Sequence, residues 1–399
     1  MAAKNGYVAG LDAGSHWTRC LIGLMENSHV RLLGAGEAPS GGWWKSRIAD
    51  HQALVASLGA AVRAAEKSAG VSIGCAVAGM GGTTVEGLNN RGVYEMGRPR
   101  EIRKEDMRYA VEQALRVSLP ADRMVLQMAP QDFVVDGRAE YWDPRGQRGS
   151  RLESFVHLVT VSTQEHRSLV AAMHQVGLEA EETIFEPYAA AYAAVGQGER
   201  AEGVVVVDIG AHSTEVVIYY GEALLAAASL QICGDHFTKD VAQRLCVSYE
   251  DAERLKRECG CALVGQTADN SLVELPSAGG RPPREAPRFE LNDALEARAG
   301  ELFVRVRQEI VKAGMDQGPL NGVVLTGAAA SMTGLCDMAE RVLNCQARNG
   351  LPEGIEDWPE EFEDPAWTTA AGLMLYSARL RRQPGREPED PSLWSRLFG

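Results

Sequence analysis

Two segments far apart in the chain carry one pattern. Asp12-Ala-Gly-Ser-His-Trp-Thr18 and Asp208-Ile-Gly-Ala-His-Ser-Thr214 share Asp, Gly, His and Thr in the same register. Each lies between two apolar runs that read as strands, 8–12 and 18–23 around the first and 203–208 and 216–220 around the second. A strand hairpin with Gly and small hydroxyl residues at its turn points several backbone N–H groups into one concavity, which suits phosphate oxygens. An Asp at each strand end can hold the water shell of Mg²⁺, which is usually bound through one or two carboxylates plus phosphates. One such turn is an ordinary glycine turn. Two facing each other would clamp a nucleotide tail.

A third element is Gly322-Val-Val-Leu-Thr-Gly-Ala-Ala-Ala-Ser-Met-Thr-Gly334. A buried strand running into small residues and a helix start lets backbone approach a flat base or ribose closely. The same sequence also fits tight helix–strand packing with no ligand.

Short β-rich runs alternate with helical stretches along the chain, which predicts an α/β fold. Helices are predicted over 51–68, 104–117, 164–176, 187–195, 237–245, 249–258, 295–313, 332–343 and 369–380. Strands are predicted over 71–77, within 124–128 and 132–136, over 222–232 and over 323–326. Residues 276–287 hold four prolines and two glycines and read as a surface loop, and the acidic stretch 351–365 as a solvated one.

With 399 residues, 45% hydrophobic and 24% charged, the chain can bury two or three cores. Its formal charge of −14 argues against nonspecific nucleic-acid binding, because phosphates would be repelled. No apolar run approaches the length of a transmembrane helix, and the start lacks the apolar core of a secretory signal. The eight cysteines contain no CxxC pair and read as reduced thiols.

The last residues have their own physics. Asp390 can cap a helix and Pro391 suits its first position. In that helix Leu393, Trp394, Leu397 and Phe398 share one face, opposite Ser392, Ser395 and Arg396. This is the pattern of an interfacial membrane anchor on a tether. Arg379, Arg381, Arg382 and Arg386 are expected near the lipid headgroups. Four large apolar side chains set a ceiling of about 6–12 kcal/mol. Ordering the tail costs roughly 1–2 kcal/mol per residue fixed, so one copy binds weakly and many copies bind well.

The two turns and the 322–334 segment resemble phosphate 1, phosphate 2 and the adenosine motif of the actin-like ATPase superfamily. Within it the chain is most similar to the FtsA family of bacterial cell-division proteins. The resemblance rests on Leu88-Asn-Asn-Arg-Gly-Val, Glu101-Ile-Arg-Lys-Glu-Asp, Leu119-Pro-Ala-Asp-Arg, Pro130-Gln-Asp-Phe-Val-Val-Asp-Gly and Val156-His-Leu-Val-Thr. It continues through Gly234-Asp-His-Phe-Thr-Lys-Asp, Ala252-Glu-Arg-Leu-Lys and Thr369-Ala-Ala-Gly-Leu, and so runs from about residue 8 to 376.

The resemblance implies two lobes around a nucleotide cleft with an FtsA-type inserted subdomain. The first-lobe core would be 1–87 and 164–200, the insertion 88–163, and the second-lobe core 201–240 and 310–378. A small subdomain at 241–309 would bind the FtsZ C-terminal peptide. A linker at 379–389 and a membrane-targeting helix at 390–399 complete the plan. ATP and Mg²⁺ are the implied cofactors. Asp12, Gly14, Ser15, His16, Asp208, Gly210, Ser213, Thr214, Gly234, Asp235, Glu253, Lys256, Gly327 and Ala328 would bind nucleotide. Asp12 and Asp208 would hold Mg²⁺ through water, and Glu186 would position the attacking water.

The implied role is to tether FtsZ filaments to the cytoplasmic face of the plasma membrane at midcell, to self-associate and to recruit later division proteins. Trp17 stands where the family usually has a Lys, removing a point charge from the phosphates. Ala211, His212, Ala328, Ala329 and Ala330 stand where glycines are usual. Weak or absent ATPase activity is therefore expected. The alternatives are a PilM-like pilus-assembly adaptor, which lacks such a tail, and a small-molecule kinase or phosphatase, which needs an intact clamp.

Overall fold

A computed structural model of the chain describes residues 6–26, 29–221, 223–268, 270–276, 284–315 and 320–382. β1 (Tyr7–Ala13), β2 (Trp17–Glu26) and β3 (His29–Pro39) form an antiparallel meander in which Asp12 faces Arg19. A tight hairpin, β4 (Trp43–Trp44) and β5 (Arg47–Ile48), leads into α1 (His51–Ala69). This helix starts where the Asp50 carboxylate accepts hydrogen bonds from the Gln52 and Ala53 amides, and it stops at Gly70 with φ 66°. Both are end signals that the local sequence supplies. β6 (Cys75–Met80) then pairs in parallel with β1.

An antiparallel unit follows: β7 (Glu86–Glu101), α2 (Lys104–Ala114), β8 (Arg123–Val135), β9 (Arg138–Tyr141) and β10 (Arg148–Ser162). Ile102, Met107, Ala110 and Val111 bury one face of α2 and its approach against Phe133, Leu152, Val156 and Leu158 of the sheet. The chain returns through α3 (Thr163–Gln175), β11 (Glu179–Phe185), α4 (Glu186–Ala194) and α5 (Gln197–Glu202).

The second meander is β12 (Val204–Ile209), β13 (Thr214–Tyr220) and β14 (Ala223–Leu230). Beyond it come α6 (Gly234–Leu245), α7 (Tyr249–Cys259), the hairpin β15 (Leu272–Leu275) and β16 (Arg284–Pro287), and α8 (Arg288–Lys312). β17 (Gly322–Thr326), α9 (Leu335–Leu343), β18 (Gln346–Asn349), β19 (Ile355–Glu356) and α10 (Thr368–Arg382) finish the fold.

The first sheet has the order β11-β6-β1-β2-β3-β19, and the second β18-β17-β12-β13-β14-β7-β10-β8-β9. The halves follow one plan, a meander whose first strand is flanked by parallel neighbours, β6 and β11 in one and β17 and β18 in the other. The echoed turns therefore occupy equivalent places. β12 is buried at every position, as an unbroken valine run in a central strand requires. α10 lies against β1 and α4, joining Ala370, Ala371 and Met374 to the Val8 and Leu21 core.

Several expectations shift. The runs at 124–128 and 132–136 form one strand, with register slips opposite Ser154–Val156 and Val159–Thr160. The strand expected at 71–77 begins at Cys75. Within the expected loop 276–287, residues 284–287 are β16, because Ala286 joins Val273 and Leu275 in a core; residues 277–283 lie outside the described residues. α8 starts seven residues earlier than predicted.

α10 runs through Arg382, four residues into the stretch read as linker. Arg379 lies over the Tyr376 and Tyr192 rings at 5.8 and 6.0 Å, and Arg381 Nε is 3.7 Å from Glu181. Arg379 and Arg381 are thus held by the fold, a correction to their expected place near lipid. Arg386 and the tail residues Leu393, Trp394, Leu397 and Phe398 lie outside the described residues.

Candidate functional site

The two echoed turns face a common cleft with two chambers. The inner one, about 90 Å³, is lined by both turns, Glu186, Glu215, Gly81, Gly82, Trp43, Ser46 and Gly327, among others. The outer one, about 420 Å³, is lined by Gly234, Asp235, Phe237, Tyr249, Glu253, Lys256, Ala329 and Met332, among others. His16, Trp17, Arg19, Gly210, Ala211, Ala328 and Ala366 line both.

Bonds between the halves close the inner chamber. Ser46 Oγ donates to the His212 carbonyl at 2.8 Å, and the Gly82 amide donates to Glu215 Oε1 at 2.7 Å. Thr369 Oγ1 donates to Asp208 Oδ2 at 2.7 Å. Gly327, with φ 84°, leaves no room for a side chain: a Cβ there would overlap the Asp208 carboxylate and lie 2.7 Å from the Ile209 carbonyl oxygen. Only glycine satisfies both the left-handed backbone and that approach.

Four buried carboxylates meet in this chamber. Burial pushes Asp12 up to about 7, with Arg19 opposing and the Asp208 charge adding. Burial likewise raises Asp208 to about 6, against the Thr369 hydrogen bond and Arg19. Glu215 rises to about 7, again through burial and then the Asp208 charge. Glu186 is held well above the usual carboxylate range by burial and by the charges of Asp12, Glu215 and Asp208. Concentrated acid in a desolvated space is the setting in which a divalent cation lowers the energy most, because it supplies the missing positive charge.

The outer chamber carries mixed charge. Lys256 Nζ lies 2.6 Å from Glu253 Oε2, 2.8 Å from Thr238 Oγ1 and 3.3 Å from the Gly234 carbonyl. Thr238 also donates to Glu253, and Tyr249 to Asp235. A polar rim around Phe237, Ala329 and Met332 suits a base and ribose.

Of the residues expected at the site, Asp12, Gly14, Ser15, His16, Asp208, Gly210, Ser213, Gly327, Ala328 and Glu186 line the inner chamber. Gly234, Asp235, Glu253 and Lys256 line the outer one. Thr214 lines neither. It opens β13 with its side chain fully buried, and its hydroxyl has no hydrogen-bond partner among the described residues. Ser213, one residue earlier, takes the position in the cleft.

Sequence reading missed Arg19, Glu215, Ser46, Gly82 and Thr369. Arg19 and Glu215 had a usable signal, a charge inside an otherwise apolar strand, where burial demands a partner. Ser46, Gly82 and Thr369 had none, since their partners lie on distant segments.

The residues present fit a nucleotide with its metal. The paired carboxylates suit a hydrated cation, and Gly14 keeps clear a cradle where a Cβ would lie 2.7 Å from the Trp17 carbonyl oxygen. The Arg19 Nε is buried with no partner among the described residues.

Comparison with known proteins bears on the fold and its family. Among solved structures, a chain of the PilM-PilN type IV pilus biogenesis complex superposes with TM-score 0.66 at 19% identity, covering 93% of this chain and 98% of that one. MreB5 of Spiroplasma citri bound to ADP gives TM-score 0.54 at 12% identity, covering 94% and 98%. These likenesses show the actin-like ATPase fold. The family model for the SHS2 domain inserted in FtsA matches residues 82–160, and that for cell division protein FtsA matches 205–372. FtsA of Pseudomonas aeruginosa is 32% identical over 370 residues, covering 92% of this chain and 88% of the relative. FtsA of Escherichia coli K12 is 31% identical over 383 residues, covering 94% and 91%. With that identity sustained across both halves and the inserted unit, the chain belongs to the FtsA family of cell-division proteins.

Proposed function

We propose that this chain tethers FtsZ filaments to the cytoplasmic face of the plasma membrane at midcell, self-associates, and recruits later division proteins. The supporting observation is family membership over nearly the whole chain. Physics adds the amphipathic pattern at 390–399, while among the described residues no helix is long and apolar enough to cross a membrane. A peripheral, reversible anchor fits both. The small subdomain at 241–309 would take the FtsZ C-terminal peptide.

The cleft would hold ATP with Mg²⁺ in a mainly structural role. Asp12 and Asp208 would hold the cation through water, and Gly14, Ser15, His16, Gly210 and Ser213 would face phosphates. Gly234, Asp235, Glu253, Lys256, Gly327 and Ala328 would surround the nucleoside, with Glu186 beside the attacking water. When bound, the cation supplies charge to offset both phosphates and carboxylates. Weak or absent turnover follows from Trp17, Ala211 and Ala328–Ala330.

Flotation with vesicles containing anionic lipid tests the anchor. The full chain is expected to float, and a version ending at Arg386 to stay at the bottom. A pull-down on the FtsZ C-terminal peptide tests the partner. Equal flotation of both versions, or no retention on the peptide, would sink the corresponding half of the proposal.

A further inference from the structure

Arg19 is the one arginine or lysine lining the inner chamber, and it lines the outer chamber as well. It is only 8% exposed, deep in a strand that is otherwise apolar. Its guanidinium is held from two sides. One terminal nitrogen lies 2.6 Å from Glu37 Oε1, and the carbon lies 5.1 Å from the centre of the Trp367 ring. The Nε, buried, is left without a partner among the described residues. An arginine presents five donors in a planar fork that matches phosphate oxygens, so an unmet donor at this depth marks a position for an acceptor.

The other cations of the cleft do not serve. Lys256 is engaged by Glu253, Thr238 and Gly234 in the outer chamber. The two-residue repeat of a strand puts position 17 on the same face of β2 as Arg19, and position 17 is tryptophan. Four carboxylates in the inner chamber would repel a phosphate tail unless a cation stood at its path.

We infer that Arg19 is a phosphate-binding residue of this cleft, its guanidinium receiving the phosphate tail of a metal-chelated nucleoside di- or triphosphate where the two chambers meet. Glu37 and Trp367 hold the fork in place before the ligand arrives, so little side-chain freedom is lost on binding. The inference rests on the nucleotide reading of the cleft and adds which residue of this chain carries the positive charge.

Titration calorimetry with Mg-ATP, Mg-ADP and adenosine tests it. Arg19→Gln is expected to weaken ATP and ADP about 10- to 100-fold, the range for a lost charge-assisted hydrogen bond, and to leave adenosine unchanged. Arg19→Lys should recover part of the loss. If Arg19 only offset the charge of Asp12 and Asp208, removing it would tighten Mn²⁺ and leave the phosphate contribution intact. Equal weakening of ATP and adenosine, or no weakening, overturns the assignment. Wild-type chain that binds none of the three ligands overturns the nucleotide reading itself, and this inference with it. Should Arg19→Gln fail to fold, the charge-balanced pair Arg19→Gln with Glu37→Gln carries the same comparison.

Discussion

Leucine in place of Gly372 is expected to leave the chain unfolded or insoluble, the largest single-site effect the structure predicts. Gly372 is where α10 crosses α4. A Cβ there would overlap the Ala189 carbonyl oxygen and lie 3.2 Å from Ala189 Cα, so the obstacle is backbone, which cannot turn aside. On its other face α10 meets β1 just as closely: a Cβ on Gly10 would lie 2.8 Å from Leu373 Cβ. The helix is wedged between two backbones. Alanine already forces a shift, costing about 1–3 kcal/mol of overpacking against roughly 1 kcal/mol gained in helix propensity. A leucine adds three more carbons where none fit.

The same displacement carries Thr369 away from Asp208, so Gly372→Ala should weaken ligand binding in the cleft even where it folds. Gly300 is the control. It lies inside α8, where an added Cβ meets nothing within 4 Å, so Gly300→Ala should stabilise by up to about 1 kcal/mol. Thermal melts of the three variants check the order. A Gly372→Leu chain that melts like wild type would show that the α4–α10 crossing is not as drawn.

The second large effect is a dependence of stability on pH that divalent cation removes. Asp12 and Glu215 are pushed up to about 7 and Asp208 to about 6. An acid whose folded pKa exceeds its unfolded value binds more protons when folded. Between the ordinary carboxylate range and about 7, the folded state therefore holds the extra protons and stability falls as pH rises. Above about 7 the full penalty of several adjacent, desolvated charges is present.

One buried group acts the other way. Burial lowers His157 to about 4, so it stays neutral when folded, and its contribution grows as pH rises from about 4 to the ordinary histidine value. Because His157 is spent by then, the window from about 6.5 to 8 reports the carboxylates. In metal-free buffer the melting temperature should drop across that window, and millimolar Mg²⁺ should restore most of the drop. Glu215→Gln should flatten the curve and raise its high-pH end, since a neutral amide removes one of the crowded charges. A flat wild-type curve without metal would contradict the clustering.

The local sequence carried most of the architecture. Asp50 and Gly70 fix the ends of α1 by capping that involves only neighbouring residues. The valine run of β12 can be satisfied only by burial on both faces. The echo of Asp12-Ala-Gly and Asp208-Ile-Gly places two equivalent hairpins before any coordinate is known. Most of the site was legible for the same reason: Asp, Gly and Ser at the turns act through their own backbone.

What the sequence could not determine depends on distant segments. Position 214 reads as a ligand residue by its pattern, yet the turn delivers Ser213 to the cleft and Thr214 to the interior. Residues 379–382 read as linker by composition, yet Tyr192, Tyr376 and Glu181 hold Arg379 and Arg381 against the fold. Ser46 reaches His212 and Thr369 reaches Asp208 only because the two lobes meet.

The fate of the four acids shows the division most sharply. Sequence alone determined that Asp12, Glu186, Asp208 and Glu215 exist and stand on or beside apolar elements. Only the tertiary structure decided that they share one desolvated chamber with a single arginine, because desolvation and charge repulsion depend on what packs around a group and not on its neighbours along the chain.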